Sequence, residues 1–387
     1  MPSAWALDLT RLNTRLGRVL TGIDRVELAW ARFLLDRDAP VFAIVRTRMG
    51  FLLLDRKGVE TLCKAGVDHT ASPEDAMAVL RANALARVTR LGLWRLTRHL
   101  PRGTVYLNFG HSNLNRRMMR AIRSVPGSHA YVLLHDAIPL DMPEVQRPGS
   151  TRKFTRKLRA ARGADGFIFP SAAARDQVVA HLKPQPSQPL IVAPLGPGLP
   201  QADTQTAMPP RFVMVGTIEP RKNHDLIFDV WQDMIANPPP GGVPGLDIIG
   251  SPGWAEPETF TRLEALTATG HVRNLGPLGD AETASTLAAS HGLLFPSLAE
   301  GYGLPALEAL LQRIPVLCHP MPVFREVLGE LPVYVPKRDI YHWRETITEM
   351  MGQERQQAER AKITAAVGEE SLPTWDQHFN TVLTAIE

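Results

Sequence analysis

The 387-residue chain has two cysteines, Cys63 and Cys318, far apart and in apolar surroundings. That excludes a disulfide framework and fits a reduced, cytoplasmic protein. It has no apolar run of about eighteen residues, so a membrane-crossing helix is not expected. The N-terminal run is broken by Asp8, Arg11 and Arg15, which argues against a secretory leader. A Walker A loop is missing, as is a G-x-G-x-x-G turn after the first strand; an NTPase or dehydrogenase is therefore disfavoured. No Cys/His cluster has zinc spacing, no G-x-S-x-G elbow occurs, and no D-x-D closes a strand to hold a divalent ion. Metal independence is the expectation. Two basic stretches, 81–102 and 151–163, contain no acid at all.

Those stretches belong to a charge division that the small net charge of +4 conceals. Residues 1–200 carry net +15 and the remainder net −11. In "RANALARVTRLGLWRLTRHLPR" (Arg81–Arg102), six arginines alternate with Leu85, Val88, Leu91, Trp94 and Leu96. That composition suits a helix lying on an anionic membrane face, or an arginine-rich helix whose apolar side joins the core. Thr151–Gly163 also holds six basic residues. Nucleic acid is not an expected partner, because no stacking aromatics are interleaved and no binding motif is present.

Short apolar runs alternate with helical patterns. Pro40–Thr47, Thr104–Gly110, Ala130–Asp136, Gly166–Ser171 and Pro189–Gly196 read as buried strands, and 22–36 as one of the helices between them. The Pro/Gly-rich segment Pro194–Pro210 reads as a linker. Beyond it the alternation restarts with "RFVMVGT", "GLDIIGS", "HVRNLGP", "GLLFPSL", "IPVLCHP" and "PVYVP". "GFIFPS" at Gly166 and "GLLFPS" at Gly292 match at four of six positions, which suggests related sheets. The fold class is α/β: two Rossmann-like doubly wound domains, 1–200 and 208–368, facing each other across a cleft.

Four elements have the composition of a site. In "FVMVGTIEPRKN", a strand ends at Gly216 and a turn carries Thr217, Arg221 and Lys222. Two cations beside a helix start make an anion site or an exposed turn. In "FPSLAEGYGLPALEAL", Glu300 and Glu308 have seven residues between them, among which are Tyr302, Gly303 and Leu304. Pro305 suits a first helical turn, which leaves amides near Gly303 for a phosphate. The glutamates then reach different depths of one site, or serve as a capping acid and a helix-surface acid. His135-Asp136 follows a buried strand and either touches substrate or closes the strand. Gly22 precedes a helix and lets a phosphate approach or merely forms a turn.

Together these segments resemble family 4 of the retaining GT-B glycosyltransferases, and most closely the mannosyltransferase-like branch of bacterial surface polysaccharide assembly. "VGTIEPRKN" is similar to that branch's phosphate turn. "FPSLAEGYGLPALEAL" is similar to its E-x7-E signature, "LLHDAIPLDMPE" to its HD-x-IP segment, and "GRVLTGIDRV" to its early glycine loop. The resemblance implies that Lys222 and Arg221 bind a donor diphosphate. It further implies that Glu300 contacts the donor sugar and His135 lies near it, while Glu308 binds the ribose. The amides around Tyr302, Gly303 and Leu304 would hold phosphate, and Gly276 to Leu278 would approach the base. Where some relatives carry an arginine after the first glycine of the phosphate turn, this chain has Thr217, so Arg221 has to supply the second cation.

By the same resemblance, residues 1–200 receive a glycan or lipid-linked acceptor, residues 208–368 bind a nucleotide sugar, and a final helix at about 370–387 packs back on the first domain. GDP-mannose is the favoured donor, as a substrate; no cofactor is implied. Rival readings are a GT-B sugar-nucleotide epimerase and a non-catalytic nucleotide- or glycan-binding module. The expected location is the cytoplasm, with peripheral association at the inner membrane face through 81–102 and 151–163.

Overall fold

The computed structural model describes residues 2–68, 72–203, 209–336, 339–367 and 372–386. The expected boundaries at 208, 368, 370 and 387 lie outside the described residues. The chain divides into two compact units. The first comprises Met1–Ala137, Thr151–Gly196 and Thr374–Glu387, and the second comprises Ile138–Ser150 and Pro197–Pro373.

The first unit is built on an eight-stranded sheet. Its strands are β1 (Ala4–Asp8), β2 (Val41–Arg46), β3 (Gly50–Leu54), β4 (Ala86–Thr89), β5 (Thr104–Asn108), β6 (His129–Leu133), β7 (Gly166–Phe169) and β8 (Leu190–Val192). Their order is β4-β3-β2-β1-β5-β6-β7-β8. Every residue of β1, β5 and β7 is buried, as near-continuous apolar runs dictate when helices cover both faces of a parallel sheet. The sheet is not wholly parallel: β3 pairs antiparallel with both β2 and β4. At the edge, β4 turns Arg87 and Thr89 outward, a charged border that discourages further pairing.

This edge corrects the expectation of one arginine-rich helix over Arg81–Arg102. The stretch is the end of helix Pro73–Ala82, then β4, then the short helix Leu93–Thr97. Asn83 closes the first helix and Gly92 opens the last. Between them, β-branched Val88 and Thr89 favour the ladder with β3. The other basic stretch does form a helix, Ser150–Ala161.

The second unit holds a six-stranded parallel sheet of β9 (Arg211–Val215), β10 (Gly245–Ile249), β11 (Val272–Gly276), β12 (Gly292–Phe295), β13 (Val316–Cys318) and β14 (Val333–Tyr334). The order is β11-β10-β9-β12-β13-β14, so strand order reverses between β9 and β12. Ligands of such sheets bind beyond the carboxyl ends at that reversal. Phe212, Trp231, Phe228 and Trp343, all fully buried, anchor the core.

One segment falls on the other side of the expected division, and the final helix falls where it was expected. Residues 138–150 count with the second unit, where the Trp254 indole N–H donates to the Val145 carbonyl at 3.2 Å and the Arg147 guanidinium lies 4.5 Å from the Trp254 ring centre. The helix Trp375–Ile386 counts with the first unit, where the His378 ring bonds the Ala193 carbonyl and the Trp30 indole.

Candidate functional site

In the second unit the loops leaving β9 and β12 are tied together. Gly216 ends the β9 turn at φ 148°, and a Cβ there would sit 3.1 Å from Lys222 Cε, so glycine leaves room for the lysine to fold back. Pro220–Lys222 forms a short 3-10 turn, and Asn223 follows in the left-handed region. Asn223 begins the helix His224–Ala236 without a side-chain cap. Its amide donates instead to the Pro296 carbonyl at 3.3 Å, while Leu298 N–H donates to the Arg221 carbonyl at 2.8 Å. The two loops are thus fixed by main chain as well as by charge.

The charged contacts centre on Glu300. Lys222 Nζ lies 2.6 Å from Glu300 Oε1, and Arg221 Nη1 lies 2.8 Å from Glu300 Oε2. Arg221 also grips Glu219 at 2.7 Å and donates to the Ala299 carbonyl at 2.8 Å. Burial raises the Glu300 carboxyl, but the Arg221 and Lys222 charges outweigh it and hold it at about 2. Burial pulls the Lys222 ammonium down, with Glu300 opposing. The Phe295 ring lies 4.5 Å from Nζ and adds a cation–π contact.

Lys222 and Arg221 therefore share one carboxylate, with Glu219 holding the arginine from its other side. Arg221 is a braced cation. Lys222 has Glu300 as its one hydrogen-bond partner among the described residues, so two of its three donors are unspent. Such an ammonium can exchange one carboxylate oxygen for a phosphate oxygen with little rearrangement. Glu219 stands in the turn that the sequence marks, but its hold on Arg221 was not read there; an acid two residues before an arginine was the signal.

The E-x7-E segment turns at Gly303, the residue before helix Leu304–Leu311, with φ 98°. A Cβ there would lie 2.6 Å from Phe324 Cε1, so both conformation and space require glycine. Tyr302 and Leu304 are buried beside it. Glu308, one turn into the helix, is buried and accepts from the Gly198 N–H at 3.0 Å. One turn on, Gln312 carries the same contact forward: its Oε1 accepts from Ala202 N–H at 3.0 Å. The segment after the first unit is thereby laid along this helix, a role for Gln312 that the sequence did not reveal.

Thr217 is half-buried in the β9 turn. Gly276 ends β11 at φ 66°, and a Cβ there would meet nothing within 4 Å; Leu278, two residues on, is half-buried. The two remaining candidates belong to the first unit. His135 is buried, its Nε2 is 2.8 Å from the Phe109 carbonyl, and burial pushes the imidazole down to about 4 against that carbonyl. Gly22 is the first residue of helix Gly22–Leu35 rather than a turn before it. Asp24 in that first turn caps Thr21 N–H at 2.7 Å and pairs with Arg11 at 2.7 Å, so its charge is spent internally. Among the described residues, no three His, Cys, Asp or Glu side chains are grouped to hold a metal ion. Also among them, no helix is long and apolar enough to cross a membrane.

Comparison with known proteins adds independent findings. Residues 201–366 match the family model described as Glycosyl transferases group 1. Over 226 residues, 53% of this chain, the sequence is 31% identical to the serotype-specific mannosyltransferase WbdA of Escherichia coli, covering 27% of that protein. It is also 31% identical over 126 residues to the O-antigen chain mannosyltransferase B of Escherichia coli, covering 33% of this chain and 32% of that one. The chain thus spans about a quarter to a third of the length of these curated relatives. Among solved structures, Anabaena Alr3699/HepE in complex with UDP and glucose matches with a TM-score of 0.65 at 16% identity over 100% of both chains. WaaG, a glycosyltransferase involved in lipopolysaccharide biosynthesis, matches with a TM-score of 0.59 at 13% identity over 98% of both. These likenesses establish the fold.

Proposed function

We propose that this chain, whose residues 201–366 match the group 1 glycosyl transferase model and whose fold is that of the GT-B structures it resembles, moves a hexose, mannose favoured, from a nucleoside diphosphate sugar to a glycan or lipid-linked acceptor. The observation that carries this reading is the buried Lys222–Glu300 pair at the β9/β12 reversal, with two lysine donors unspent. The donor diphosphate takes those donors and the amides near Gly303. Glu308 reaches the ribose and the Gly276–Leu278 loop the base. The mannosyltransferase relatives favour mannose and polysaccharide assembly, and with them GDP-mannose.

The reaction needs negative charge stabilised on the departing diphosphate. Lys222 and the helix amides supply that, with Arg221 holding Glu300 in place. The anomeric carbon becomes oxocarbenium-like. The C1–O bond to phosphate breaks, the acceptor hydroxyl oxygen bonds C1 from the same face, and its proton passes to the leaving phosphate oxygen. Configuration is retained without a covalent enzyme intermediate. Glu300, bonded to two cations, serves as an orienting group for them and for sugar hydroxyls. The first unit receives the acceptor, at the inner face of the cytoplasmic membrane.

The test is product analysis with GDP-mannose and a synthetic lipid-linked acceptor. A new α-mannoside with GDP released is the expected outcome. An epimerised nucleotide sugar without glycoside, or no consumption of any GDP- or UDP-sugar donor, would overturn the proposal.

A further inference from the structure

Several arginines in the second unit are paired with acids. Arg211 and Arg273 share Asp247, Arg262 meets Asp225, and Arg344 meets Asp233. The first unit contains the opposite arrangement. A cavity of about 710 Å³ is lined by Arg46, Arg48, Arg81, Arg90 and Arg117, with no carboxylate among the described residues of its wall. Among the described residues none of these five forms an ion pair. The fold brings them from separate elements. Arg46 ends β2, Arg48 lies in the turn to β3, Arg81 ends the helix Pro73–Ala82, Arg90 follows β4, and Arg117 opens the helix Arg116–Arg123. Arg90 is braced by donating Nη2 to the Arg48 carbonyl at 3.0 Å. Arg117 stands in a first helical turn that contains no acid, where the helix dipole disfavours a cation. All five are solvent-exposed and meet no acid among the described residues, so the cluster presents an unneutralised positive field that attracts an anion.

The surroundings narrow the anion. Phe51, Met77 and Leu93 line the same cavity. Met49, next in sequence to Arg48, is 81% exposed, and Leu91, next to Arg90, is 77% exposed. Trp94 is half-exposed, with the Arg98 and Arg95 guanidiniums 4.2 and 5.2 Å from its ring. Exposed apolar side chains next in sequence to lining residues Arg48, Arg90 and Leu93, one of them an amphipathic indole, match the boundary between lipid headgroups and acyl chains. A free phosphate needs the arginines and gains nothing from Met49 or Leu91.

We propose that this pocket binds the phosphate head of an anionic lipid while Met49, Leu91 and Trp94 enter the bilayer surface. The inference goes beyond donor binding and does not require sugar transfer to be correct.

The experiment is co-sedimentation of the full chain, without donor, with vesicles of phosphatidylcholine alone or doped with dioleoylphosphatidic acid. The compared variants are Arg48→Gln/Arg90→Gln in the pocket, Met49→Ser/Leu91→Ser at the rim, and Arg152→Gln/Arg156→Gln on the exposed helix face outside it, each checked for an unchanged melting temperature. Expected are binding to the doped vesicles only and a loss of about 10-fold or more in both the pocket and rim variants. The outer pair should lose markedly less. Equal losses in the two arginine pairs would reduce the effect to general surface charge and overturn the pocket. Full binding by the rim variant, with release by inorganic pyrophosphate, would make it a site for free phosphate and overturn the lipid assignment. Because no donor is present, failure of the transferase reading would leave this result standing.

Discussion

Replacing Glu300 by glutamine removes the carboxylate shared by Lys222 and Arg221 while keeping the side chain's shape. Its size can be worked out in two ways. The carboxyl is held at about 2 against an ordinary value of 4.5. At 1.36 kcal/mol per unit, the ionised form in the folded chain is worth about 3 kcal/mol at neutral pH. Removing one partner of a buried pair costs roughly 3–5 kcal/mol, and the slight exposure of these side chains favours the low end. A depressed carboxyl pKa gives stability that is complete above the unfolded value and lost as pH falls through the folded one. The gap between wild type and Glu300→Gln should therefore be about 3 kcal/mol at pH 7 and about half that at pH 3. Denaturant titration followed by the buried Trp231 and Trp343 measures it, and sugar transfer should fall by about 10-fold or more. A gap under about 0.5 kcal/mol, or one that does not change with pH, would refute the reasoning that the ion pair organises this site.

Three further outcomes are expected. Gly303→Ala should cost about 1–3 kcal/mol and weaken nucleoside diphosphate binding, read by calorimetry, because φ is 98° and the new carbon meets Phe324. Burial holds His135, His291 and His378 down to about 4 and His224 to about 3. The unfolded chain takes up these protons first, so stability should fall by more than about 1.4 kcal/mol per pH unit below pH 6. Melting temperatures between pH 7 and 5 check that, and a flat profile would contradict it. Trp254→Ala should speed amide hydrogen exchange in residues 143–150 by removing the indole's bond to Val145 and its stacking with Arg147.

The second unit's sheet was the more legible in the sequence. Five of its six strands are short, mainly apolar runs, the edge strand β11 (VRNLG) being the polar exception, and all six form. The first unit's sheet was harder, because β3 and β4 make an antiparallel edge in a chain that otherwise alternates strand and helix. Arginine-rich β4 carries a composition that suits a helix as well as a strand, and only its pairing with β3 decides. In the site, Lys222 and Glu300 could be named from their turns. Their mutual contact could not, since 78 residues separate them and adjacency of β9 and β12 brings them together. Gln312 was invisible for the same reason, because it acts on a backbone group, Ala202 N–H, that tertiary structure delivers; Glu219 lies in the same turn as the Arg221 it holds, and only its role was unread. The arginine pocket was half legible. Its charge was plain in the sequence, but five arginines from five elements become one cavity only in the fold.

The central claim is that Lys222 receives the diphosphate of a nucleotide-sugar donor. Calorimetric titration of GDP into wild type and Lys222→Ala tests it most directly. A charge-assisted bond of about 1.5–3 kcal/mol predicts a Kd at least about 10-fold weaker in the variant, with its fold intact by circular dichroism. Equal affinity in the two proteins would contradict the claim.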